Sequence, residues 1–583
     1  MYTEVKSYQF ILSLLKQYGI KHCVLSAGSR NLPFVHSVEE DSYFKCFSVV
    51  DERSAGYFAL GLAQELNQPV IISCTSSTAT CNYWPPVAEA YYQNVPLIVL
   101  TSDRDQRMVG HWEDQLIDQV GMFDRHVRKS VNLPVINDKD DEIYCQRLIN
   151  DAFLELNRNG AKGPVHINVP TTTYNRSFIV KKLPKAKKID RFFYNDVERL
   201  EQKKNELKKY NKILVLCGQN SNVSTKLQEQ ISIFFEKYNS VIIGDLMSNI
   251  QFDKIINTTI CMDDNYVSMK ALNELMPDLV ISFGGQVFSG IKNQLRKNYG
   301  KFDHWVIQED GKIVDMLKSV NAIFKMRAED FFTFFNDNDV NNDLVYYSKF
   351  KDYYDSVPSP NFKYSGAYAI EKMVKQIPEN SILHLSINDS IRVANFFRLN
   401  KNIKVYANIG THGIDGCMSS FIGQSVVSNK ESFLIIGDLA FFYDMNSLRI
   451  NSMQSNAHIL LINNHGGSEF YYNKIQQNND ANTTARHSNV AEGWVKSNDF
   501  IYISAHDKKS FDDNLPEFMN YHDKPILFEV FTEMKTDAEE IHDYYEKSRP
   551  YDLKATLSRN TKDFVKEKIG QEKVKKILEI IKN

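Results

Sequence analysis

Apolar residues along this chain gather in short unbroken runs rather than in strict alternation. Cys23–Leu25, Pro69–Ile72, Leu97–Leu100 and Val165–Ile167 fall in a first block, Lys212–Gly218 and Asp278–Gly285 in a second, and Phe433–Ile436 and Ile459–Ile462 in a third. Such runs predict strands buried on both faces, and helical spacing between them predicts parallel βαβ units. The fold class is therefore α/β, with three doubly wound parallel-sheet domains. The pattern divides the chain into 1–180, a basic linker over 181–210 that contains Lys181–Lys188, a central block 211–345, a third block 346–536 and a charged extension 537–583. Met1–Gln17 carries Tyr2, Phe10, Ile11, Leu14 and Leu15 at helical spacing and predicts an amphipathic helix. Near the other end, Val574–Ile581 draws an apolar stripe on a lysine-rich helix, which either packs on its own protein or meets another copy.

The length of 583 residues suits about three or four domains. With 43% hydrophobic and 24% charged residues the chain is of ordinary globular composition, and a net charge of −3 gives no footprint for nucleic acid or membrane. No signal-peptide core or membrane-length apolar stretch is present, and the eight cysteines include no CxxC pair. These features point to a cytoplasmic protein with reduced thiols. The strands of the second block end in glycine but lack GxGxxG, so no bound dinucleotide is expected there.

Chemistry concentrates where core strands end. Gly437-Asp438-Leu439 follows one apolar run, and Asn463-Asn464-His465-Gly466-Gly467 follows the next. A helix and a return strand between them would bring both ends to the carboxyl edge of a parallel sheet. There the Asp438 carboxylate, the Asn464 amide oxygen and the Gly466 carbonyl form a set of hard oxygen ligands suited to Mg²⁺ (or Mn²⁺) on a diphosphate. Alone, the same residues also read as a turn and a helix cap. A second feature is Asp51-Glu52-Arg53, lying between the run Phe47–Val50 and a helix of small residues. Glu52 reads either as a helix-start charge paired with Arg53 or as a carboxyl group of raised pKa awaiting a nitrogen base.

Together these segments resemble the thiamine-diphosphate enzymes, and among them the menaquinone-biosynthesis synthases known as MenD. The matches run in order: Ser26–Arg30, Asp51–Arg53, Thr101–Arg104, Gln115 with Gly121–Phe123, Gly163–Pro170, Gly413–Gly416, Gly437–Leu439 with Tyr443-Asp444, and Asn463–Gly467. The resemblance implies a pyrimidine-binding first block and a diphosphate-binding third block. It implies a thiamine diphosphate held by Glu52, Gly413, Ile414, Asp415, Gly437, Asp438, Leu439, Asn464, Gly466 and Gly467, with the metal on Asp438, Asn464 and Gly466. Glu52 would be catalytic, favouring the imino tautomer that takes the proton from the thiazolium carbon. Ile414 would prop the cofactor in a bent conformation, or serve as ordinary core, or both. The reaction implied is decarboxylation of a 2-oxo acid and transfer of its acyl carbanion to an acceptor, with the cofactor as electron sink. A homodimer or homotetramer with sites at the subunit interface is also implied.

Ser29, Arg30, Arg104, Gln115 and Arg392 are the candidate substrate-binding residues, the arginines being suited to carboxylates. Two arginines of the family have no counterpart in register: Ile409 stands at one position and Ala394 at the other, with Arg392 two residues early. Their loss raises the alternative of a donor other than 2-oxoglutarate, while a catalytically silent cofactor-fold scaffold is the alternative of another class. His412 and His465 read as structural hydrogen-bonders or as proton carriers. The polar stretch Gln476–Thr484 reads as a lid or as a plain surface loop.

Overall fold

A computed structural model describes residues 1–158, 160–172, 176–262, 269–337, 343–450, 454–472 and 481–548. The helix expected over Val574–Ile581 and the segment Gln476–Asp480 lie outside them. The chain divides into two compact units. The first comprises Met1–Arg199 with Gln308–Met326, and the second comprises Leu200–Ile307 with the residues from Arg327 onward.

In the first unit, six parallel strands form one sheet: β1 (His22–Leu25), β2 (Lys45–Ser48), β3 (Val70–Cys74), β4 (Leu97–Arg104), β5 (Lys129–Asn132) and β6 (Val165–Thr171), in the order β2-β1-β3-β4-β6-β5. β3 is buried along its length, as a two-faced strand must be. One face of the sheet packs Ile71, Ile98, Leu100 and Ile167 against the N-terminal helix Lys6–Tyr18, whose Tyr8, Ile11, Leu12 and Leu15 are buried. The other face packs Val70, Ile72, Leu97 and Val99 against the helix Glu52–Leu66. That helix lies close to its neighbour: a Cβ on Gly56 would sit 2.3 Å from Pro86 Cγ.

The basic stretch expected to be a solvated linker is irregular in backbone but pinned. Ala186 N–H donates to Ser13 Oγ at 3.2 Å, Lys187 N–H to Gln146 Oε1 at 2.9 Å and Ile189 N–H to Asn150 Oδ1 at 2.8 Å. Regular structure resumes at once with β7 (Asp190–Phe193) and the helix Val197–Leu207. Lysine content marked exposed side chains such as Lys181, Lys182 and Lys185, not a free backbone.

The second unit holds β8 (Ile213–Cys217), β9 (Ser240–Gly244), β10 (Leu279–Phe283) and β11 (Asp303–Ile307), in the order β9-β8-β10-β11. β12 (Val320–Lys325) belongs to the first unit, where it pairs in parallel with β7. At the ends of β8 and β10 the backbones nearly touch, so that a Cβ on Gly218 would lie 2.2 Å from the Gly285 carbonyl oxygen. The glycines at these strand ends serve backbone packing.

The third sheet is also parallel: β13 (Ile382–Leu385), β14 (Lys404–Ala407), β15 (Ser432–Gly437), β16 (Ala457–Asn463), β17 (Ile501–Ala505) and β18 (Ile526–Phe531), in the order β14-β13-β15-β16-β18-β17. Alternate residues of β15 and β16 enter two cores: Phe433, Ile435, Leu460 and Ile462 on one side, Leu434, Ile436, Ile459 and Leu461 on the other. The helix Met534–Ser548 closes the first core through Ile541, Tyr544 and Tyr545.

Candidate active site

β15 and β16 run side by side with Gly437 opposite Ile462, so both chains leave the sheet at the same edge. The connection opens with a six-residue helix, Asp438–Tyr443, continued by a tight turn of helix over Met445–Arg449. Asp438 is thus the first residue of a helix. Its Oδ1 accepts the Leu439 N–H at 2.6 Å and its Oδ2 the Gly466 N–H at 3.0 Å. Burial nonetheless pushes the Asp438 pKa up to about 6, the backbone donors of residues 439 and 464–466 opposing that rise.

The asparagine pair divides its work. Asn463 donates to Glu529 Oε1 at 2.7 Å and to the Asn489 carbonyl at 3.0 Å, which anchors the end of β16. Asn464 donates its Nδ2 to Asp537 Oδ2 at 2.8 Å, and its Oδ1 is buried without a hydrogen-bond partner among the described residues. An orphaned buried amide oxygen is costly unless a donor or cation meets it. Gly466 has φ of 154°, and a Cβ there would lie 2.7 Å from the Thr484 carbonyl oxygen and 2.8 Å from Met534 Sδ. Only glycine fits that backbone.

A cavity of about 300 Å³ opens here, lined among others by Gly437, Asp438, Leu439, Asn464, Gly466, Gly467 and Ile414. Seven of the ten candidate cofactor residues therefore share one wall. Gly413 and Asp415 flank Ile414 without lining the cavity, and Glu52 belongs to the first unit. The oxygen donors of Asp438 and Asn464, the glycine cradle and the cavity fit a divalent cation with a diphosphate. Among the other lining groups, Asp389, which accepts from Ser468 Oγ at 2.9 Å, and Asp537 gave no signal in the sequence. His487 was also missed; its Nε2 lies 3.3 Å from Asp438 Oδ2, outside hydrogen-bond geometry, and burial lowers its pKa.

Ile409 and Ala394, where the family arginines were expected, are both fully buried. Arg392 does not line the cavity, but its guanidinium lies 3.9 Å from Asp389, which does. His412 is exposed, in the left-handed region at φ 59°, with Nδ1 3.0 Å from the Ile409 carbonyl oxygen and its ring parallel to Phe288. His465, also left-handed at φ 65°, leaves Nδ1 buried without a hydrogen-bond partner among the described residues.

In the first unit Glu52 opens the helix Glu52–Leu66 behind Asp51, which caps it by accepting the Ser54 N–H at 2.8 Å. Its side chain is partly exposed, and its charge helps raise the pKa values of the buried Cys74 and Tyr83 after desolvation. Ser29, Arg30 and Arg104 line a separate cavity of about 260 Å³ together with Glu113, Arg107 and Thr171. Arg30 is 5% exposed and donates Nη1 to Gln115 Oε1 at 2.5 Å, while Arg104 pairs with Glu113. Gln115 itself sits at φ 52°, a strained setting for a side chain that orients an arginine. The first unit thus brings four of the five candidate substrate residues together.

Comparison with known proteins agrees with this chemistry. Residues 5–122 match the family described as thiamine pyrophosphate enzyme, N-terminal TPP binding domain. The 2-succinyl-5-enolpyruvyl-6-hydroxy-3-cyclohexene-1-carboxylate synthase of Bacteroides thetaiotaomicron is 35% identical over 568 residues, covering 94% of this chain and 99% of that protein. The synthases of the same name from Bacteroides fragilis and Phocaeicola vulgatus are 35% and 33% identical, with the same coverage of both chains. With its fold, its oxygen-lined cavity and relatives that match 94% of its length, the chain belongs to the 2-succinyl-5-enolpyruvyl-6-hydroxy-3-cyclohexene-1-carboxylate synthase family of thiamine-diphosphate-dependent enzymes.

Proposed function

We propose that this enzyme decarboxylates 2-oxoglutarate and joins the acyl fragment to isochorismate, using thiamine diphosphate and Mg²⁺. The observation that carries the cofactor assignment is the unpartnered Asn464 Oδ1 beside the buried Asp438 carboxylate in a glycine-walled cavity. When bound, the cofactor would supply a nucleophilic carbon toward the keto group of a 2-oxo acid and a cationic ring able to take up the electron pair left by decarboxylation. Asp438, Asn464 Oδ1 and the Gly466 carbonyl would hold the cation on the diphosphate. Ile414 lines the cavity, where its apolar side chain would exclude water and support the cofactor. Glu52, at the open end of its helix, would hold a proton on the pyrimidine ring nitrogen and take it back in turn. Arg30, steadied by Gln115, and Arg104 present guanidinium forks to a carboxylate of the substrates.

In this reading, residues 1–180 bind the pyrimidine and 346–536 the diphosphate. The working enzyme is a cytoplasmic homodimer or homotetramer whose sites combine Glu52 of one copy with Asp438 of another. Among the described residues no helix is long and apolar enough to cross a membrane, and all eight cysteines are free.

A second reading rests on Ile409 and Ala394. Both are sealed in the core and present no charge, so a donor without a distal carboxylate is the alternative. The test is CO2 release from a panel of 2-oxo acids, with and without isochorismate. Release confined to 2-oxoglutarate and stimulated by isochorismate supports the first reading. Release only from other 2-oxo acids replaces it with the second, and no release from any acid contradicts both.

A further inference from the structure

Asp537 lies where the sequence suggested a charged extension begins, yet it is buried at the floor of the cation cavity. Its Oδ1 accepts the Gly366 N–H at 2.8 Å. Its Oδ2 accepts both the Thr532 hydroxyl at 2.7 Å and Asn464 Nδ2 at 2.8 Å. We propose that Asp537 is a positioning residue for the metal: by accepting from Asn464 Nδ2 it fixes which face of that amide meets the cation.

Donors and acceptors decide the orientation of the amide. An asparagine side chain has an oxygen on one side and an NH2 on the other, nearly equal in size, and turning it over costs little by itself. An ionised carboxylate can only accept, so Asp537 compels the NH2 of Asn464 to face it. The Oδ1 is thereby turned the other way, where it stands buried and without a hydrogen-bond partner among the described residues. The backbone N–H of Gly366 and the Thr532 hydroxyl hold the carboxylate in place from two further directions. Groups behind metal ligands typically contribute about 10- to 100-fold to metal affinity by this kind of orientation.

The inference rests on the metal assignment proposed above, and an isosteric swap separates the two. In Asp537→Asn, the oxygen of residue 537 stays on the Gly366 N–H, a fixed backbone donor that needs an acceptor. Its NH2 then faces Asn464, whose amide must turn its oxygen away from the cation. Adding Asn464→Asp restores an acceptor on both sides of residue 464. Binding of Mn²⁺, followed by the resonance of the free ion at saturating thiamine diphosphate, reads the result without turnover, and thermal unfolding reports folding. The expected outcome is a loss of about 10-fold or more in Mn²⁺ affinity for Asp537→Asn, with recovery to within about 3-fold of the parent in Asn464→Asp/Asp537→Asn. Parent affinity in Asp537→Asn overturns the inference, and so does a folded double variant that fails to recover. If Asp537→Asn does not fold, the double variant decides alone. A parent protein that binds no Mn²⁺ contradicts the metal assignment instead.

Discussion

Gly466→Ala is the sharpest structural perturbation of the cation loop. A methyl group there would meet the Thr484 carbonyl oxygen at 2.7 Å and Met534 Sδ at 2.8 Å, both inside the closest approach that real side chains tolerate. Met534 can swing aside. Thr484 cannot do so freely, because its carbonyl oxygen accepts the Gly467 N–H at 2.7 Å and so ties the loop to residue 467. The backbone at φ 154° adds its own strain. About 1–3 kcal/mol for the forbidden backbone and a similar amount for overpacking give roughly 2–6 kcal/mol in all. The loop escapes that cost by moving, and movement displaces the Gly466 carbonyl and the N–H that bonds Asp438. The loss therefore falls on affinity for the cation and diphosphate, where even 2 kcal/mol is roughly 30-fold. Calorimetric titration of thiamine diphosphate with Mg²⁺ measures it, with thermal unfolding alongside. Gly423→Ala is the control: it lies in the helix Cys417–Val426 with nothing within 4 Å of the new methyl, and should be neutral or stabilising by up to about 1 kcal/mol. If Gly466→Ala binds within about twofold of the parent, the tight loop is not what holds the ligand and the reasoning fails.

Glu52→Gln keeps the size of the side chain and removes its ability to exchange a proton, so kcat should fall about 100- to 10,000-fold while the dissociation constant for thiamine diphosphate changes little; unaltered kcat would refute the role. The raised pKa of Asp438 makes a signed prediction. A carboxyl group whose folded pKa is lifted from 3.8 to about 6 contributes stability to the cation-free protein at acid pH, and that contribution is lost as pH rises through 6. A cation needs the ionised form, so Mn²⁺ affinity should weaken about tenfold per pH unit below 6 and level off above it, and a flat profile from pH 5 to 7.5 would contradict the assignment. Arg30→Lys retains the charge but loses the fork that Gln115 orients, so KM for the carboxylate-bearing acceptor should rise about tenfold or more with a smaller change in kcat; steady-state kinetics over a range of isochorismate concentrations decides it.

The central strands were legible because they are buried on both faces and carry apolar runs, as in Val70–Ile72 and Ile459–Ile462, whereas the half-exposed edge strand Lys45–Ser48 carries none. That Gly437-Asp438 and Asn463–Gly467 meet at one sheet edge was legible because each follows a buried apolar run of a parallel sheet. Asp537 was not. Its partners Gly366 and Asn464 lie far off in the chain, and an aspartate in a run of charged residues looks solvated until the fold brings donors to it. Lys181–Lys188 misled in the opposite direction, since its polar side chains conceal a backbone pinned by Ser13, Gln146 and Asn150. The placing of Glu52 at a helix start was readable from the strand run before it and the small-residue helix after it, whereas its partial exposure was not, because the helix buries only one face. Asp389 and His487 escaped notice for the reason that hid Asp537: each acquires its meaning from a contact made over a long stretch of chain.

The central claim is that Asp438, Asn464 and Gly466 hold a metal-bound thiamine diphosphate. Equilibrium binding of that cofactor to the purified protein, with Mg²⁺ present and then removed by chelation, tests it most directly. Uptake of one cofactor per chain is expected, requiring the cation and disappearing in Asp438→Ala while the protein stays folded. No uptake at any concentration, or uptake indifferent to both Mg²⁺ and Asp438, would contradict it.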